Sequence, residues 1–296
     1  MLLLLLINAL FALTFIITEY GLQFTNPLTL LTFRMLFAGF SLLLFQYISN
    51  KKLLYIKKED ILYIAITCLL HMYINFLSEA YAFQKISSIM VSIFYLLSPI
   101  FSAIIDYLLT NNKLTKEQII TITTGTFLSI YMIFLNTNQK LSFNDALYPY
   151  LLLLISIITS TIAWYRINNI IKKGYSLITI NAYASILSGV IFFLTAYYYQ
   201  ETLSIYHNNN FYYIFLPAIL LGIISNIICY NLYSKLLKRY NITTILFAEL
   251  LCPCFTAYYQ WLFFNISPKI NHFIFFILFM ACIIIFNYYE KQKKTE

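Results

Sequence analysis

A chain of 296 residues that is 61% hydrophobic and only 10% charged, with a mean hydropathy of +0.77, is not an ordinary soluble domain, where about a quarter of the residues carry charge. It reads as a polytopic membrane protein with no nucleic-acid partner, because the basic residues behind its net charge of +8 sit in alternate loops, where they report topology. Its five cysteines, Cys68, Cys229, Cys252, Cys254 and Cys282, all fall in apolar segments, which argues against a disulfide framework or a thiolate metal site and for small hydrophobes.

A span needs about 20 mostly apolar residues. Such runs predict ten transmembrane helices, over 2–19, 28–48, 61–83, 87–109, 117–136, 147–168, 176–199, 211–235, 242–264 and 271–289. The first begins Met1-Leu2-Leu3-Leu4, without a basic region or a small-residue cleavage site, and is expected to stay as a helix and not to be a removed signal. With the N-terminus inside, the cytoplasmic loops hold fifteen basic residues, among them Lys51, Lys52, Lys57, Lys58, Lys113, Lys172 and Lys173, and the outer loops only Lys85, Lys140 and Lys269. That bias places both termini in the cytoplasm.

The chain repeats itself. Leu96-Leu97-Ser98-Pro99-Ile100-Phe101-Ser102-Ala103 aligns, at an offset of 154, with Leu250-Leu251-Cys252-Pro253-Cys254-Phe255-Thr256-Ala257, with five of eight positions identical. Five spans per half is an odd number, so the second half enters the membrane opposite to the first. The expected fold is therefore an all-α membrane protein of ten helices in two inverted five-helix repeats, residues 1–137 and 147–290, joined by a linker at 138–146 and closed by a tail at 291–296. Such folds place a substrate near the bilayer midplane between the halves.

Polar groups at membrane depth mark candidate sites, since a charge at the centre of a span costs about 2.5–3.5 kcal/mol on insertion scales. In the third span Thr67, His71, Asn75 and Glu79 recur every four residues and share one face. Tyr95, Pro99, Ser102 and Asp106 form a second stripe, and Glu249, Pro253, Thr256 and Gln260 its echo. Because Tyr95 and Glu249 are repeat partners, a phenol and a carboxylate are expected to face each other. Asn226 and Tyr230 point to the same interior, and Trp164 and Tyr165 lie near the polar stripes. Substrate-binding candidates are thus His71, Asn75, Glu79, Tyr95, Trp164, Asn226, Tyr230 and Glu249. Glu19 and Arg34, at neighbouring span ends, are candidate gating or structural charges that would pair with each other. Interhelical hydrogen bonding alone is the competing account of the stripes. A carboxylate beside aromatic faces suits a cation or a flat heterocycle.

Catalytic patterns are missing: there is no paired Asp cluster, no His followed by a carboxylate at acyltransferase spacing and no Ser-centred glycine motif, and His71, His207 and His272 are scattered. No metal, cofactor or enzymatic activity is expected.

Phe33-Arg34-Met35 in the second span, the short link at Gln84-Lys85-Ile86 and the Pro-Xaa-Phe-[Ser/Thr]-Ala turn of both halves resemble the EamA-type carriers of the drug/metabolite transporter superfamily. More narrowly, Arg34-Met35-Leu36-Phe37-Ala38-Gly39 and the run Ser225-Asn226-Ile227-Ile228-Cys229-Tyr230 are similar to S-adenosylmethionine/S-adenosylhomocysteine transporters of obligate intracellular bacteria. The loop Gly-Glu pairs common in EamA proteins are replaced here by Asn111-Asn112-Lys113 and Asn265-Ile266-Ser267. The resemblance implies a carrier in the bacterial inner membrane, working by alternating access and taking up S-adenosylmethionine in exchange for S-adenosylhomocysteine. Export of amino acids or hydrophobic drugs is the rival within that class, and a membrane-embedded enzyme or structural partner the rival outside it. Expected partners are a small-molecule substrate and the lipid bilayer, with a homodimer left open.

Overall fold

A computed structural model describes residues 2–110, 115–136, 143–201, 212–237, 239–240, 242–267 and scattered positions between 270 and 289. Among these the protein is all helical: α1 (Leu2–Gly21), α2 (Pro27–Asn50), α3 (61–83), α4 (88–110), α5 (Lys116–Asn136), α6 (Phe143–Lys172), α7 (Leu177–Tyr198), α8 (212–237) and α9 (242–264). Seven of them, all but α5 and α9, are long and apolar enough to cross a membrane. The expected tenth span, 271–289, falls largely outside the described residues, and so do Lys113 and Lys140. Helix α6 begins at Phe143, so the last residues of the expected 138–146 linker are helical.

Local sequence explains the ends and irregularities. Asn26 caps α2 by accepting from the Thr29 N–H at 2.8 Å, with Pro27 in the first turn, where its missing N–H costs nothing. Helix α9 stops at Asn265, which takes the left-handed conformation at φ 55°. Inside α4, Pro99 has no N–H to give the Tyr95 carbonyl four residues back. The chain there tightens into a 3-10 turn at Tyr95–Leu97, and the Ser98 hydroxyl donates to that carbonyl at 2.6 Å. Pro253 does the same to α9, whose 3-10 turn is Glu249–Leu251. Helices α3 and α8 carry π-helical segments, Leu69–Ile74 and Gly222–Cys229, a distortion that recurs at functional sites. The irregularities thus repeat at, or within a residue of, the same offset as the sequence.

Repeat-related elements meet one another. Helix α2 packs antiparallel on its counterpart α7: Asn26 Nδ2 donates to the Glu201 carbonyl at one end and Ser176 Oγ to Gln46 at the other. Close approach at the crossing depends on glycine. A Cβ on Gly39 would lie 2.6 Å from Ile186 Cγ1 and 2.9 Å from its backbone nitrogen, and one on Gly189 would lie 2.8 Å from Leu36 Cδ2. The two 3-10 turns abut, the first half of α4 lying against the second half of α9 and the reverse. Asn226 donates to the sulfur of Met72, its counterpart at offset 154, at 3.3 Å. A pseudo-two-fold axis therefore runs through the crossing, the Met72–Asn226 contact and the paired turns, and helices on either side of it run in opposite directions.

Candidate functional site

Beside that axis α1, α3, α4, α6, α8 and α9 line a cavity of about 80 Å³. Six of the eight binding candidates line it: Asn75, Glu79, Tyr95, Trp164, Tyr230 and Glu249. They arrive there because the polar stripe of α3 and the two proline-induced turns face the same interior.

On one wall the polar groups are joined in a chain. The Tyr95 hydroxyl donates to Glu79 Oε2 at 2.5 Å and lies 2.7 Å from Ser156 Oγ, which donates to Asn75 Oδ1 at 2.5 Å. Tyr95 therefore hydrogen-bonds Glu79, while Glu249, its repeat partner, lines the same cavity from the abutting turn. The reason is that α3 presents Glu79 beside the α4 turn. The opposite wall is less occupied. There the buried Tyr233 hydroxyl is turned to the Glu249 carboxylate, close enough to donate to it but in a looser geometry than the Tyr95–Glu79 bond. Trp164 and Tyr233 stack at 3.9 Å between centroids with planes 15° apart, Tyr230 meets Trp164 edge-on at 5.4 Å, and Phe11 and Phe76 complete an aromatic lining.

The other two candidates stand behind this wall. His71 is 1% exposed, packs edge-on against Trp164 at 4.7 Å, and neither ring nitrogen has a hydrogen-bond partner. Asn226 accepts from Arg34 Nε at 3.0 Å and gives its own amide protons to the sulfurs of Met35 and Met72.

Arg34 and Glu19 do not pair. The Arg34 guanidinium, 2% exposed, donates also to Ser225 Oγ at 2.7 Å and lies 4.0 Å above the Phe76 ring, so polar side chains of α8 and an aromatic face hold it against the cavity wall. Glu19 instead accepts from the Ser88 N–H at 3.1 Å and from Gln260 Nε2 at 3.4 Å, while Gln260 also donates to Ser88 Oγ at 2.9 Å. Residues sixty-nine positions apart in sequence thus share a charge that serves the start of α4.

At the other end of the bundle Asp60 accepts from Lys173 Nζ at 2.5 Å and from the Tyr175 hydroxyl at 2.6 Å. Its carboxylate holds the Lys173 ammonium pKa above the ordinary range. Beside it Arg166 donates to Thr67 Oγ1 at 2.8 Å and lies 3.8 Å over Tyr63.

Sequence reasoning missed Asn8, Ser156 and Tyr233. Asn8, an amide in a mostly apolar first span, could have been found by the same cost argument that singled out Glu79. Tyr233 lies three residues after Tyr230 on the same face, whereas Ser156 carries no signal of its own.

Residues 1–135 and 147–288 each match the EamA-like transporter family. The S-adenosylmethionine/S-adenosylhomocysteine transporter of Chlamydia muridarum is 25% identical over 258 residues, covering 84% of this chain and 79% of its own. The protein of the same description from Chlamydia trachomatis serovar L2 is 26% identical, covering 84% of this chain and 77% of its own. A solved crystal structure superposes with a TM-score of 0.70 over 96% of this chain and 93% of its own at 11% identity, a likeness of fold alone.

Proposed function

We propose, for a chain that belongs to the EamA-like transporter family and is a multi-pass membrane protein, that it carries S-adenosylmethionine inward across the bacterial inner membrane in exchange for S-adenosylhomocysteine. The observation that carries this reading is the composition of one cavity: two carboxylates, Glu79 and Glu249, set among the rings of Trp164, Tyr230 and Tyr233. Carboxylates attract the sulfonium and ammonium of the first compound, and the aromatic faces suit adenine. The two compounds differ by one methyl group and one charge, so a site that reads the adenosine and the amino acid accepts both. An exchanger needs one such site and a ready reorientation when it is full. The low-identity likeness to transporters described by these two compounds points the same way.

The repeat-related helices rock about the pseudo-two-fold in this reading, exposing the cavity to one face and then the other, with both termini in the cytoplasm. The test is efflux of labelled S-adenosylmethionine from proteoliposomes. Either unlabelled compound outside should accelerate it, and collapsing the pH gradient should change it little. Efflux that ignores external ligand and follows the proton gradient refutes exchange.

A further inference from the structure

The two walls of the cavity differ in what they have left to offer. The Glu79 wall is internally satisfied through Tyr95, Ser156 and Asn75. The facing wall is not. Asn8, 1% exposed, donates one amide N–H to the Leu4 carbonyl at 2.7 Å, and its Oδ1 accepts nothing. The Tyr233 hydroxyl, 1% exposed, has only a loose contact with the Glu249 carboxylate, and that carboxylate keeps acceptor positions to spare. All three residues line the same cavity, and α1 packs directly on the part of α8 that carries Tyr233 and on the Glu249 turn of α9. A buried acceptor without a donor costs about 1–3 kcal/mol, and Asn8 Oδ1, on the same cavity wall as a loosely paired Tyr233 and Glu249, leaves acceptors there for the donors of what binds.

We propose that Asn8, Tyr233 and Glu249 form a subsite for a primary ammonium group, with Glu249 as its counter-charge. An ammonium has three donors and no acceptor. Asn8 Oδ1, a Glu249 oxygen and the Tyr233 oxygen supply three acceptors, one of them charged. A sulfonium has no N–H and can satisfy none of them. The site therefore reads the amino-acid end of its ligand, the part shared by S-adenosylmethionine and S-adenosylhomocysteine, which explains how one pocket would hold both. This assignment rests on the reading above for its ligands, and its test separates the two.

The experiment measures equilibrium binding to the purified protein in nanodiscs for S-adenosylmethionine, its analogue lacking the amino group, its analogue lacking the exocyclic purine amine, and methionine. Wild type should bind the deaminated analogue at least tenfold more weakly than the parent. Asn8→Leu and the conservative Tyr233→Phe should each weaken the parent several-fold while leaving the deaminated analogue unchanged. Equal binding of parent and deaminated analogue, equal losses for both ligands in both variants, or dependence on Asn8 and Tyr233 of the purine amine alone overturns the ammonium subsite. If wild type binds neither adenosyl compound, the substrate reading falls. The subsite then stands only if methionine binds and is weakened by Tyr233→Phe, and falls otherwise.

Discussion

The crossing of α2 and α7 gives a test in which one type of substitution should act with opposite signs. An alanine at Gly39 places its Cβ 2.6 Å from Ile186 Cγ1 and 2.9 Å from the Ile186 backbone nitrogen. The side-chain atom can rotate away, but the backbone nitrogen moves only if the helices separate. Overpacking of this kind costs about 1–3 kcal/mol, and the intrinsic preference of a helix for alanine over glycine returns about 1 kcal/mol. The expected net loss for Gly39→Ala is about 0–2 kcal/mol. Gly189→Ala meets Leu36 Cδ2 at 2.8 Å and its backbone nitrogen at 3.1 Å, so its loss should be smaller. Once one substitution has spread the helices the second meets less resistance, so the double variant should lose less than the sum. At Gly125 in α5 a Cβ meets nothing within 4 Å, and alanine there should stabilise by up to about 1 kcal/mol. Unfolding of the purified protein in mixed detergent micelles measures all four. If Gly39→Ala proves as stable as Gly125→Ala, the close crossing is not what joins the two halves.

Cysteines introduced at Lys85 and Lys140 should be labelled from the outer face, and those at Lys113 and Lys172 should not; labelling of position 113 from outside sinks the topology drawn from the basic loops. Glu249→Gln and Glu79→Gln should each reach the membrane at normal or higher levels, because a charge has been removed from a span, yet transport less of a cationic substrate. Normal uptake by both would make the polar stripes packing devices. Asn226→Leu removes the acceptor of Arg34 Nε and should cost about 1.5–3 kcal/mol, the worth of a hydrogen bond to a charged group. Unchanged stability in the same unfolding assay would show that Arg34 does not depend on α8.

Much of this architecture is legible in the sequence because a membrane imposes simple rules. Apolar length placed the helices, and the recurrence of Pro99 and Pro253 placed the two turns that meet at the axis. Periodicity put Asn75 and Glu79 on one face, and the structure brings both to the cavity with Tyr95 and Glu249. Periodicity does not set the rotation of one helix against the next, and that is where the reading failed. The Tyr95–Glu79 hydrogen bond was not anticipated, and Arg34 turned to Asn226 and Ser225 and not to Glu19. The helices that carry Glu79 and Asn226, α3 and α8, both contain π-helical segments, where an extra residue in a turn shifts the register of everything after it. No composition or spacing rule applied here would have placed them.

The polar clusters outside the cavity have a bearing on how such a protein moves. One lies at each end of the bundle, and each joins the two halves of the chain: Glu19 and Ser88 of the first half to Gln260 of the second, and Asp60 of the first to Lys173 and Tyr175 of the second. A rocking of one half on the other that opens either end must break the cluster there, while the other end can stay closed. The two are not alike in chemistry. The Glu19 cluster holds a single charge among neutral donors, whereas the Asp60 cluster is an ion pair whose lysine is half exposed, so screening by salt weakens it more. The barrier to opening at the Asp60 end should therefore fall as ionic strength rises, and the barrier at the Glu19 end should respond much less. Asymmetry of that kind lets two halves of one repeated sequence, packed around a common axis, differ in which face they open more readily.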